Sequence, residues 1–110
     1  MKRILIVDDS MDVRELLKAQ LNHYAITEAT DGCDAIYKMI GNEYDAIITD
    51  LEMPKMDGEE FIRAIRLGGV KTPIFIYSSR YDSHKCDKWV QGSFNKTANK
   101  DLIQYLKVYL

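Results

Sequence analysis

Three apolar runs in this chain each stop at a side chain capable of chemistry. Ile4-Leu5-Ile6-Val7 ends in Asp8-Asp9, Ala46-Ile47-Ile48-Thr49 ends in Asp50, and Ile74-Phe75-Ile76-Tyr77 ends in Ser78. A fourth, weaker stretch, Ser93-Phe94-Asn95, is followed by Lys96. Short apolar runs with a β-branched bias read as strands buried on both faces. If those strands are parallel, Asp8, Asp9, Asp50, Ser78 and Lys96 converge at one edge, where open α/β sheets bind their ligands. Three carboxylates so placed repel one another, by about 3 kcal/mol per pair at roughly 5 Å and an effective dielectric near 20. A cation or protonation must relieve this. An all-oxygen cluster without His or Cys favours a hard ion, Mg²⁺ or Mn²⁺. Such an ion suits phosphoryl chemistry because it bridges carboxylates and phosphate oxygens. Ser78 can donate to one phosphoryl oxygen and Lys96 can bring positive charge to another, while a carboxylate can serve as nucleophile and form an aspartyl phosphate. Asp50, where the strand Ala46 to Thr49 emerges from the sheet, is the expected acceptor.

The elements that must hold these groups alternate strand and helix about five times, without internal repeats or low-complexity linkers. That alternation predicts a doubly wound α/β domain, a parallel sheet with both faces covered. A first helix is predicted from about Met11, capped by Ser10 or Asp9, with Val13, Leu16, Leu17 and Leu21 on its apolar face. Residues 24–29 form a weaker strand near the sheet edge. Asp31-Gly32 opens a second helix with Ala35, Ile36, Met39 and Ile40 turned inward and Gly41 as its stop. Asp57-Gly58-Glu59-Glu60 reads as a capping-box variant opening a helix that buries Phe61, Ile62 and Ile65 and ends at Gly68-Gly69. The stretch 80–91 is polar, with Cys86, Trp89 and Val90 able to share one face of a short helix. Leu102, Ile103, Leu106, Tyr109 and Leu110 mark the last helix.

At 110 residues the chain is read as one domain, 1–110, with a real core. A formal net charge of −2, with Lys and Arg scattered, gives no nucleic-acid footprint. Cys33 and Cys86 have no metal-type spacing and read as free thiols of a reducing compartment. No segment is long and apolar enough to span a bilayer, so a cytoplasmic location without membrane contact is expected. His23 and His84 stand alone and read as surface residues. Met53 and Met56 read as loop packing, and Trp89 as a plug over a shortened segment.

Val7-Asp8-Asp9-Ser10 and Asp50-Leu51-Glu52-Met53-Pro54-Lys55-Met56-Asp57-Gly58, taken with Pro73 to Ser78 and Lys96, resemble the receiver domain of two-component response regulators over essentially the whole chain. The resemblance implies a flavodoxin-like five-stranded sheet of order 2-1-3-4-5. It also implies that Asp50 accepts a phosphoryl group from a phosphohistidine on a sensor histidine kinase or histidine phosphotransfer protein. Asp9, Asp50 and the backbone carbonyl of Glu52 would bind Mg²⁺ directly and Asp8 through water. Ser78 would follow the phosphoryl group, Lys96 would pair with it, and a downstream protein would read the altered surface.

Three departures from the family pattern bear on that readout. Lys96 follows Ser78 by 18 positions (78 to 96), about one helical turn short, so the fourth helix or the strand after it is expected to be truncated. Ser93 stands where the family often carries an aromatic switch residue, for which Phe94 or Trp89 are the candidate substitutes. Thr97 stands where a proline usually follows the lysine. Two other functions compete. One is a receiver-like interaction module that phosphorylation does not switch. The other is a metal-dependent phosphohydrolase, which would carry Asp-x-Asp after the first strand and a cap that this chain lacks the residues to build. Because the chain ends with its last helix, a receiver without its own output domain is expected. Glu52, beside the acceptor, is a candidate for tuning how fast water removes the group.

Overall fold

The computed structural model describes residues 1–80 and 83–110, the latter segment without the side chains of 83–85. Its elements in chain order are β1 (Arg3–Val7), α1 (Met11–Gln20), β2 (Ala25–Ala29), α2 (Gly32–Met39), β3 (Ala46–Thr49), α3 (Gly58–Leu67), β4 (Ile74–Ser78), a 3₁₀ segment (Ser83–Trp89), β5 (Gly92–Asn95), a 3₁₀ turn (Lys96–Ala98) and α4 (Asn99–Tyr109). The strands form one sheet of order β2-β1-β3-β4-β5, with every neighbouring pair parallel. This is the expected doubly wound order, with β2 at an edge.

Strand side chains alternate between the two faces of a sheet, and both faces here are apolar. Leu5, Val7, Ile47, Ile74 and Ile76 pack under α2, α3 and the 3₁₀ segment, through Ala35, Phe61, Ile62, Ile65 and Cys86. Ile4, Ile6, Ala46, Ile48, Phe75 and Tyr77 pack under α1 and α4, through Leu17, Leu21, Leu102, Ile103 and Leu106. The helices start where side chains can satisfy their free backbone N–H groups. Ser10 accepts from Val13 N, Asp31 from Asp34 N, and Asp57 and Glu60 form a reciprocal capping box.

Two residues expected in the core lie outside it. Leu16 is 48% exposed: α1 meets the sheet along its i, i+4 row through Leu17 and Leu21, and one residue of helical rotation turns Leu16 to solvent. Ile40 is 71% exposed, because α2 ends at Met39 and Ile40 is already extended, so helical periodicity no longer aims it.

Between β4 and β5, the described residues contain the 3₁₀ segment where an α-helix would complete the alternation, as the short spacing from Ser78 to Lys96 leads one to expect. Cys86 is buried beneath it, with Trp89 and Val90 packed alongside. Arg66 ties the segment down: Nε donates to the Trp89 carbonyl at 2.9 Å, while Nη1 donates to the carbonyls of Val70 at 2.9 Å and Thr72 at 2.8 Å. Tyr81, Asp82 and the His84 side chain, within the stretch read as polar, lie outside the described residues. No helix among the described residues is long and apolar enough to cross a membrane.

Candidate functional site

The register of the sheet builds the site. Val7 pairs with Thr49 across β1 and β3, and Asp50 N donates to the Val7 carbonyl at 2.9 Å. The residues after each strand, Asp8 and Asp50, therefore emerge side by side. One carboxylate oxygen each from Asp8, Asp9 and Asp50 lies within 4.8 Å of the others. Asp8 and Asp50 are buried and Asp9 is exposed. On the far side, Ser78 pairs with Asn95, so the residue after β5, Lys96, reaches back over the sheet edge. Its Nζ lies 3.0 Å from both Asp8 Oδ2 and Asp50 Oδ2. Acids and lysine, separated by up to 88 positions (8 to 96), thus share one cluster.

Each group is oriented by backbone. Asp50 Oδ1 accepts from the N–H groups of Leu51 (2.7 Å) and Glu52 (3.3 Å), leaving Oδ2 toward Lys96. Asp8 Oδ1 accepts from Ser10 N at 2.9 Å. Arg14 donates to the Asp8 carbonyl at 2.7 Å and is itself held by Glu28 on β2 at 3.0 Å. Burial pushes the Asp8 carboxyl above its usual range, outweighing its bonds to Ser10 and Lys96. Burial pulls the Lys96 ammonium down, but its bonds to Asp8 and Asp50 push it further up, so it stays charged. Ser78 is buried at the end of β4, its hydroxyl accepting from Arg80 N at 3.2 Å. Glu52 is exposed beside Asp50.

The donor set fits a hard divalent cation: three carboxylates, no nitrogen or sulfur ligand, and an exposed member, Asp9, on the solvent side. One ammonium against three acids leaves net negative charge, and repulsion from Asp50 adds to the burial that raises the Asp8 carboxyl. A cleft of about 660 Å³ opens at the opposite end of the sheet among Arg3, Tyr44, Asp45 and Lys71.

Sequence reasoning missed two supports of this cluster. Gly58 was legible as a helix start, but its second property is spatial: a Cβ there would stand 2.1 Å from the Asp50 carbonyl oxygen and 2.7 Å from Leu51 Cα. Only glycine lets α3 begin against the backbone of Asp50. Asn95 caps the turn that carries Lys96, its Oδ1 accepting from Thr97 N at 2.9 Å and Thr97 Oγ1 at 2.8 Å. That bond fixes the loop where the family pattern has proline. The Asn-x-Thr spacing was the available signal, since Asn side chains accept from the N–H two residues on. Of the candidate aromatic substitutes at Ser93, Phe94 packs on the α4 side, its ring 5.6 Å from Tyr105, and Trp89 packs on the α2–α3 side.

A family model, the response regulator receiver domain, matches residues 4–104. The chain belongs to the response regulator receiver domain family of two-component signalling systems. It is 38% identical over 110 residues to the sensor protein EvgS of Escherichia coli (strain K12), which covers 97% of this chain and 9% of that protein. It is 40% identical over 80 residues to the response regulator MprA of Mycobacterium sp. (strain KMS), covering 71% of this chain and 35% of that protein. The chain thus spans about a tenth of the first of these relatives and about a third of the second. Among solved structures, the response regulator TrrA of Thermotoga maritima, in complex with Mg²⁺-BeF, superposes with a TM-score of 0.89 at 34% identity, over 100% of both chains. The chemotaxis protein CheY4 of Vibrio cholerae does so with 0.87 at 30%, over 100% of this chain and 99% of that one.

Proposed function

We propose that the 110 residues act as one receiver domain in which Asp50 accepts a phosphoryl group from a phosphohistidine. The observation that carries this is the Asp8-Asp9-Asp50-Lys96 cluster at the carboxyl edge of a parallel sheet. An Asp50 carboxylate oxygen attacks phosphorus, the P–N bond to the donor imidazole breaks with its electron pair, and the freed nitrogen takes a proton from water. The products are an acyl phosphate on Asp50 and a neutral histidine on the donor. Asp8, Asp9, Asp50 and the backbone carbonyl of Glu52 are the residues that would hold Mg²⁺, with Mn²⁺ as an admissible substitute. A bound divalent ion would neutralise the acids and take up charge on the phosphoryl oxygens.

The chain's own residues supply the rest. Leu51 N and Glu52 N hold one oxygen of Asp50 in place. Lys96 neutralises the acceptor before transfer and pairs with the phosphoryl group after it, and Ser78, at the end of β4, donates to a phosphoryl oxygen. The partners on this reading are a sensor histidine kinase or histidine phosphotransfer protein upstream and a protein that reads the surface downstream, in the cytoplasm and without direct contact to nucleic acid or membrane. The domain is a signalling element whose only chemistry is on itself.

The 3₁₀ segment in place of a helix between β4 and β5 favours a second reading, a receiver-shaped module that binds its partner without phosphorylation. Intact mass after incubation with acetyl phosphate and Mg²⁺ separates the two. A gain of one phosphoryl group, lost without metal and in Asp50→Asn, is the expected result. No gain under any condition leaves the interaction module.

A further inference from the structure

Lys96 is aimed by a hydrogen-bonded chain that touches neither acid. Tyr77, on β4, is 3% exposed, and its hydroxyl donates to the Lys96 carbonyl at 3.4 Å. The same hydroxyl accepts from Asn99 Nδ2 at 3.1 Å. The Asn99 amide is paired reciprocally with Gln20, the last residue of α1, through Gln20 Nε2 to Asn99 Oδ1 at 2.6 Å and Asn99 Nδ2 to Gln20 Oε1 at 2.9 Å. Both Asn99 amide protons are thereby committed, one to Gln20 and one to Tyr77. With Asn99 donating to it, the phenol has one proton left to give, and the Lys96 carbonyl is there to take it. Each orientation in the chain fixes the next, which is how hydrogen-bonded networks gain over isolated pairs.

The geometry points to Tyr77, braced by the Gln20–Asn99 pair, as a positioning residue for Lys96. Asn95 shapes the turn from one side, and Tyr77 pins its first carbonyl from the other. Together they set where the lysine stem leaves the backbone, and so hold Nζ at 3.0 Å from both Asp8 and Asp50. The competing account is that the Tyr77 hydroxyl is only a satisfied polar tip in the α1–α4 core, contributing stability and nothing to the site.

The inference rests on the phosphorylation reading, and the test separates the two. Initial rates of phosphoryl uptake from acetyl phosphate with Mg²⁺ are followed by intact mass in the parent, Tyr77→Phe, Lys96→Met and the double variant, with urea unfolding of each. Tyr77→Phe keeps the ring and removes the donor. A slowing of about twofold is expected, the weak end of a neutral hydrogen bond for a contact as long as 3.4 Å, together with no further slowing when Lys96 is already methionine. Asn99→Ala, which leaves the phenol but removes its brace, should slow uptake in the same direction. Equal slowing by Tyr77→Phe in both lysine backgrounds, or no slowing while Lys96→Met is impaired, overturns the positioning role. If the parent takes up no phosphoryl group, it is the phosphorylation reading that fails; if the parent is phosphorylated and Lys96→Met is unimpaired, Asp50 stands as acceptor and uptake does not report on Lys96. The positioning role is then decided by crystal structures of the parent and Tyr77→Phe. Loss of the Nζ contact with Asp50 in the variant supports it, and an unmoved Nζ overturns it.

Discussion

Gly58→Ala sets two effects against each other beside Asp50. By helix propensity alone the change is favourable: Gly58 opens α3, and alanine there reduces the entropy of the unfolded chain by the equivalent of about 0.4–1 kcal/mol. Packing opposes it. The added Cβ would lie 2.1 Å from the Asp50 carbonyl oxygen and 2.7 Å from Leu51 Cα, whereas ordinary contacts begin near 3.4 Å. Both obstacles are backbone, so no rotamer change relieves them. Either α3 retreats or the Asp50–Leu51 peptide moves, and either strains the 2.9 Å bond from Gly58 N to the Leu51 carbonyl. Overpacking of this kind costs about 1–3 kcal/mol, and a weakened buried hydrogen bond adds about 1 kcal/mol. The expected net is a loss of about 1–3.5 kcal/mol in urea unfolding followed by circular dichroism. Gly68→Ala is the control, since the nearest neighbour of its Cβ, the Ala64 carbonyl oxygen, is 3.3 Å away and need give by only about a tenth of an ångström; it should stay within about 0.5 kcal/mol of the parent. Phosphoryl uptake by Gly58→Ala should fall as well, because the acceptor peptide is what moves. A Gly58→Ala protein as stable as its parent would refute the close approach of α3 to Asp50.

Other consequences follow from charge and hydrogen bonding. Asp8→Asn should stabilise the metal-free protein at neutral pH, because burial already disfavours the ionised Asp8, and should diminish the rise in melting temperature on adding Mg²⁺. Thermal melts with and without Mg²⁺ check both, and a variant less stable than the parent in chelator contradicts the first. Arg66→Met strands three carbonyls beneath the 3₁₀ segment and should cost about 2–3 kcal/mol in urea unfolding. A change below about 0.5 kcal/mol would remove Arg66 as the staple. At Glu28, burial raises the carboxyl, but Lys18 and Arg14 pull it further down, to a net value below its usual range. A carboxylate held down in the folded state stabilises it at neutral pH and loses that contribution as pH falls through roughly 5 to 3. Urea midpoints across that range should therefore drop more steeply in the parent than in Glu28→Gln, and parallel curves would sink the ion pair.

Much of this architecture was legible because β1, β3 and β4 are uninterrupted apolar runs whose ends carry the reactive groups. An unbroken run means burial on both faces, burial on both faces means a parallel sheet, and a parallel sheet puts Asp8, Asp50 and Ser78 on one edge. Lys96 was harder, since β5 is short and half-polar, and its place rests on the family resemblance as much as on its pattern. Leu16 misled because two adjacent leucines both fit an apolar face, and only the line along which α1 meets the sheet chooses between them. The supports of the site left fainter traces. The close approach at Gly58 depends on where α3 docks, which no local pattern encodes. The pairing of Gln20 with Asn99 joins residues 79 positions apart, and such amide contacts have no periodicity to read. Asn95 was the exception, a cap readable from its spacing to Thr97.

The most direct test of Asp50 as acceptor is to trap the modified residue. Protein treated with acetyl phosphate and Mg²⁺ is reduced with borohydride, which converts an aspartyl phosphate to homoserine, and its peptides are sequenced by mass spectrometry. Homoserine at position 50 and at no other aspartate is the expected result. Homoserine at Asp8 or Asp9 instead, or intact aspartate throughout in protein that has gained a phosphoryl group, would contradict it.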